Sequence, residues 1–144
     1  MTQTYQTMIA DYLDIYQRIQ QFITRECKNV RGWNTRFLEL TLVGNKKELT
    51  FDEKELSRIL YVDKQRVRHF FVVHYWMRHV LPNELGHRVS KIVIRADRVL
   101  VRLKTGRVCH VGPKGMAQLM LRTMTAALSY EGLAQAHHNM LKAI

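Results

Sequence analysis

The feature that most constrains this chain is a change in the period of its apolar residues. Between residues 4 and 27, Tyr5, Met8, Tyr12, Ile15, Ile19 and Phe22 alternate spacings of three and four, and Ile9, Tyr16 and Ile23 widen the stripe. That pattern predicts an amphipathic helix. Its apolar face must be buried in the chain's own core or against a second subunit; its aromatic content and terminal position favour a homodimer contact. Between residues 91 and 111 the period falls to two. Ile92 and Ile94 alternate with Val93 and Arg95, and Val99, Val101 and Leu103 alternate with Leu100, Arg102 and Lys104. With Thr105-Gly106 as a turn before Arg107-Val108-Cys109-His110-Val111, the segment reads as a basic β-hairpin or three short strands.

The stretch between these two is punctuated. Asn29-Val30-Arg31-Gly32 is a break, and residues 33–43 fit either a strand or a helix closed by Gly44. Thr50-Phe51-Asp52-Glu53 reads as a capping box that opens a helix from Phe51 to Leu60. Tyr61-Val62 turns the chain, and Asp63 caps a second helix that runs to His79 and stops before Leu81-Pro82-Asn83. Gly112-Pro113 introduces a helix over 114–129, with another over 131–142. Met116, Leu119, Met120 and Met124 form the packing stripe of the first. Leu49–Leu60 and Cys109–Met120 echo each other, each running strand-like residues into a helix start. Their identities are too few to predict a duplicated fold.

Charge narrows the function. The chain carries 23 Lys+Arg against 12 Asp+Glu, a formal net of +11. Residues 51–110 hold 13 of the basic groups and 6 of the acidic ones, and nine of the 13 are Arg. A basic excess of this size seeks a polyanion, and the arginine fork suits phosphate and guanine edges. The N-terminus has neither the basic nor the apolar region of a signal peptide, and no apolar run approaches a membrane span. Cys27 and Cys109 have no metal or redox spacing, so a cytoplasmic protein with reduced thiols is expected. His69, His74 and His79 are five apart, which rotates them around a helix, and His137-His138 lacks partners at ligand spacing. No phosphate loop, nucleophile elbow or catalytic carboxylate pair is present; the expectation is a non-enzyme without metal or cofactor.

Residues 51–71 meet the spacing rules of a helix-turn-helix. Leu56, the small Ser57, Leu60, Val62, Val67 and Phe70 occupy the packing positions. The run Glu55 to Val67 resembles the helix-turn-helix of bacterial transcription regulators, with Tyr61 where most carry Gly in the turn. The order helix, helix pair, basic hairpin, C-terminal helices resembles the winged helix-turn-helix proteins in their MarR-like arrangement. Asp97-Arg98 leading to Leu103-Lys104-Thr105-Gly106 looks like that group's wing. The resemblance implies a mainly α fold with a small β-hairpin. It divides the chain into an N-terminal dimerisation helix (1–30), a helix-turn-helix with wing (31–112) and C-terminal packing helices (113–144). It also implies that Lys64, Gln65, Arg66, Arg68 and His69 face DNA, that Arg58 meets the backbone, and that Arg95, Arg98, Arg102 and Arg107 are wing contacts.

Together these residues predict sequence-specific binding to double-stranded DNA by a small, dimeric transcription regulator. RNA binding in a ribonucleoprotein, or docking of an acidic protein partner, are the alternatives.

Overall fold

Residues 33–36 and 39–43 resolve as strand. The computed structural model describes residues 2–27, 29–36, 38–84 and 88–123. The order is α1 (Thr2–Glu26), β1 (Val30–Arg36), β2 (Glu39–Gly44), β3 (Glu48–Phe51), α2 (Glu53–Leu60), α3 (Lys64–Tyr75), a π-helical turn (Trp76–Val80), α4 (Leu81–Glu84), β4 (Val89–Ile94), β5 (Val99–Leu103), β6 (Val108–Val111) and α5 (Pro113–Thr123). The strands form two separate antiparallel sheets, ordered β1-β2-β3 and β4-β5-β6. The fold is therefore α+β with two three-stranded sheets. It is not the mainly α, winged helix-turn-helix-like arrangement expected from the sequence. What the expectation left open is β1-β2-β3: residues 33–43 fitted strand or helix, and Leu40 and Leu42, alternating inward and nearly fully buried, belong to a strand.

Two helix boundaries also move. Thr50 does not cap a helix, because β3 extends to Phe51 through pairing with Leu40. The capping box sits two residues later: Glu55 N donates to Asp52 Oδ1 at 2.8 Å and Asp52 N donates to Glu55 Oε1 at 3.3 Å. The second helix does not stop before Leu81. The π turn carries it on, with Leu81 N bonded to the Trp76 carbonyl, and Pro82 lies within α4. A proline ring clashes with the carbonyl four residues back, and the wider π turn immediately upstream gives it room.

The apolar face of α1 is used inside the chain. Ile9, Tyr12, Ile15 and Ile19 are essentially inaccessible, and α1 packs along α3 and α5. The stripe that favoured a homodimer contact thus serves one common core, shared with Val67, Phe70, Trp76, Met116 and Met120.

The discounted internal echo has a structural basis. Each half of the chain is a long helical segment, a three-stranded meander and a following helix. Both meanders carry an irregularity at the same place in the first strand, between Val30 and Gly32 and between Val89 and Lys91. Counting from it, Leu40 and Leu42 correspond to Val99 and Val101, all four buried. Leu56 and Leu60 of α2 correspond to Met116 and Met120 of α5, again all buried. In the long helices, Ile9, Tyr12, Leu13 and Ile15 repeat as Val67, Phe70, Phe71 and Val73. The corresponding rings of Tyr12 and Phe70 stack on each other, centroids 5.2 Å apart and planes 20° apart. In a reciprocal exchange, α2 packs on α3 and α5 packs on α1. This is the arrangement that an approximate two-fold axis through the Tyr12–Phe70 stack produces. The echo was faint because only side-chain polarity repeats, and a core asks for little more.

Candidate nucleic-acid interface

At the α2–α3 junction the expected packing is present. Leu56, Leu60, Val62, Val67 and Phe70 are all buried, and Ser57 Oγ donates to the Val62 carbonyl. Tyr61 takes the left-handed conformation at φ 57°, ψ 46°, with its side chain in solvent. It does this job without glycine because a residue there closes α2: Val62 N bonds to the Ser57 carbonyl at 3.1 Å.

The start of α3 is nevertheless not an open reading surface. Arg66 donates from Nε to Asp11 Oδ1 at 3.1 Å and from Nη2 to Asp14 Oδ2. Burial works against its charge, but the hydrogen bonds and attraction of Asp14 and Asp11 outweigh that, and its pKa is raised. His69 Nδ1 lies 2.8 Å from Asp11 Oδ2. Arg68 grips Glu53 with two nitrogens, at 2.9 and 3.3 Å. Three of the five residues expected to face DNA are therefore engaged by carboxylates of α1 and α2. Lys64 and Gln65 are exposed, as is Arg58 on α2. The ion pairs were invisible in sequence because Asp11 and Asp14 lie more than fifty residues away. Their spacing on α1 had no meaning until α1 was laid against α3.

The second sheet has the opposite character. Its inner face consists of Ile92, Ile94, Val99, Val101, Leu103, Cys109 and Val111, which join the core. Its outer face follows from the register. Lys91, Arg102 and Val108 lie side by side in one row, and Val93, Leu100 and His110 in the next. Arg95 and Arg98 flank the β4–β5 turn, which is closed by Arg95 N donating to the Arg98 carbonyl at 2.9 Å. Lys104 and Arg107 lie in the β5–β6 turn, where Gly106 takes φ 92°. All of these basic groups are exposed. Asp97 is the one carboxylate between Arg88 and Val111. It meets Arg98 at 3.6 Å in full solvent, where such a pair is worth little.

All four wing candidates, Arg95, Arg98, Arg102 and Arg107, thus fall on one accessible sheet. Lys91, Lys104 and Arg88 join them and were missed. Strict alternation outward from Arg102 would have found Lys91, its cross-strand neighbour. The first sheet offers no equal. Its outer row Asn34, Thr41, Thr50 is polar and uncharged, with Thr41 and Thr50 hydroxyls 3.1 Å apart, and exposed Glu39 and Glu48 offset its basic residues.

Among the described residues there is no cluster of His, Cys, Asp or Glu that could hold a metal, and no helix is long and apolar enough to cross a membrane. No protein-family model, curated protein or solved structure matches the chain.

Proposed function

We propose that this protein binds nucleic acid, duplex DNA in the first instance, through the outer face and turns of β4-β5-β6. The observation that carries the proposal is the direct cross-strand pairing of Lys91 with Arg102, flanked by Arg95, Arg98 and Arg107. Like charges directly opposite one another destabilise a sheet. A row of phosphates turns that repulsion into attraction and releases counterions on binding. A twisted three-stranded face with a Val93–Leu100 centre and a basic rim can follow a groove, since strands as well as helices enter DNA grooves. Phosphate contacts of this kind give affinity and position without reading sequence. Base reading then falls to the groups left exposed nearest the α2–α3 turn: Arg58, Lys64 and Gln65.

The test is fluorescence anisotropy on a labelled duplex across a salt series. Wild type should bind with log K falling linearly with log salt. Alanine at Arg95, Arg98, Arg102 and Arg107 together should flatten that slope by about 0.9 for each phosphate contact removed. An unchanged slope in the quadruple variant, with circular dichroism intact, overturns the assignment to this sheet. Tighter binding to structured RNA than to duplex in the same assay would replace DNA by RNA as the partner.

A further inference from the structure

A cleft of about 740 Å³ opens between the two sheets, floored by α1 and the α3–π segment, beside the Tyr12–Phe70 stack. Both halves of the chain line it at corresponding places: Trp33 and Ile92 on the first strands, Tyr16 and His74 on the long helices. The volume lies in the range of small-molecule sites.

Its polar chemistry is one-sided. Arg31, Arg78 and Lys91 line it, together with Gln20 and Ser90, and no carboxylate stands among the described residues that line it. His74 adds a donor. It is 6% exposed, and its Nε2 has no hydrogen-bond partner among the described residues. Its Nδ1 lies 3.0 Å from the Tyr12 hydroxyl. If the hydroxyl donates to Nδ1, the Nε2–H is the one unsatisfied group. The reverse tautomer strands both the hydroxyl hydrogen and the Nε2 lone pair, so the first arrangement is favoured. Burial, with Arg78 and His79 nearby, brings the His74 pKa down to about 3, which keeps the ring neutral with that single N–H. A buried, unpartnered N–H with Arg78 nearby, in a cleft also lined by Arg31 and Lys91, lacks an acceptor.

The remaining wall is aromatic. Trp33 contacts Tyr16 edge-on at 5.3 Å and lies tilted 5.3 Å from His74. A flat ring can pack against these faces, and a cation at the mouth can hold an attached anion.

We propose that this cleft is a ligand site for an aromatic phosphate of nucleotide size, its ring against Trp33 and Tyr16 and its phosphate held by Arg31, Arg78 and the His74 N–H. Lys91 borders both this cleft and the outer face of β4-β5-β6, but Arg31, Arg78, His74, Trp33 and Tyr16 differ from the residues tested there.

Calorimetric and tryptophan-fluorescence titrations with AMP, adenosine and inorganic phosphate test it. AMP should bind and change the emission, with adenosine and phosphate each weaker by about tenfold or more, since a hydrogen bond to a charged group is worth roughly one to two powers of ten in affinity. Arg31→Gln and Arg78→Gln should each weaken AMP by a similar factor. Trp33→Phe should abolish the emission change while calorimetry still records binding. Four results overturn the proposal: no AMP binding, phosphate binding as tightly as AMP, unchanged affinity in both arginine variants, or an emission change that survives Trp33→Phe. His74→Phe is a control that keeps the ring volume and removes the donor. It should fold and bind AMP more weakly, and unaltered affinity there removes His74 from the site. Duplex binding in the Arg31 and Arg78 variants should equal wild type, so failure of one proposal leaves the other standing.

Discussion

Lowering the pH should destabilise this protein through one buried imidazole, and replacing it should remove that dependence. His74 sits under the Trp33, Phe70 and Tyr12 rings, and burial first, then Arg78 and His79, brings its pKa from 6.5 to about 3. The folded ring stays neutral while the unfolded chain takes up a proton below 6.5. The unfolded state therefore binds more protons as pH falls, so stability is fully present above 6.5 and drains away between there and about 3. At pH 5 the unfolded ring is almost wholly charged and the folded one is not, which costs about 2 kcal/mol relative to neutral pH. Urea unfolding of wild type and His74→Phe from pH 7 down to pH 5 measures this as the difference between two curves, which cancels the carboxylates and other histidines. The variant forfeits the hydrogen bond from Tyr12, a pH-independent offset of about 1 kcal/mol. The difference between the two curves should change by about 2 kcal/mol over that range, so that they cross. Parallel curves would refute the reasoning, because they would mean that His74 takes up its proton as easily folded as unfolded.

Three further outcomes follow from the geometry. Tyr61→Gly should stabilise the chain by up to about 1 kcal/mol, because Tyr61 is held at φ 57° with its side chain 91% exposed and nothing packed is lost; a lower urea midpoint would show that the turn is not strained. Arg66→Ala should destabilise folding by roughly 1–3 kcal/mol, by leaving Asp11 and Asp14 without their shared partner, and should change duplex binding little; a large loss of binding at unchanged stability would restore Arg66 as a base reader. Leu56→Ala and Met116→Ala, at corresponding places in the two halves, should each cost about 2–5 kcal/mol by thermal or urea unfolding; a near-neutral Met116→Ala would mean α5 does not complete the core.

The local elements were legible wherever a residue's role depends on its neighbours in the chain. The α1 stripe, the two helices on either side of Tyr61 and the proline at the first turn of α5 follow from periodicity and backbone chemistry. The alternating β4-β5-β6 segment with its exposed arginines was readable for the same reason, and its residues are the ones on which the proposed nucleic-acid binding rests. The boundaries that moved did so through non-local pairing. Thr50 went to a strand because Thr41 lies across from it, and the helix passed Leu81 because a π turn made room for Pro82.

Which charged groups are available was a tertiary matter. By itself the sequence determined that α3 begins with Lys64, Gln65, Arg66, Arg68 and His69, a set whose types suit DNA. Packing α1 against α3 decided that Arg66 and His69 answer Asp11 and Asp14 instead, and α2 supplied Glu53 to Arg68. An ion pair needs a few ångströms of proximity, and chain separation carries no information about that. The change of apolar period along the chain specified helix and strand in turn. Only the tertiary structure showed that the alternation occurs twice, that the two halves face each other across Tyr12 and Phe70, and that a cationic cleft lies between them.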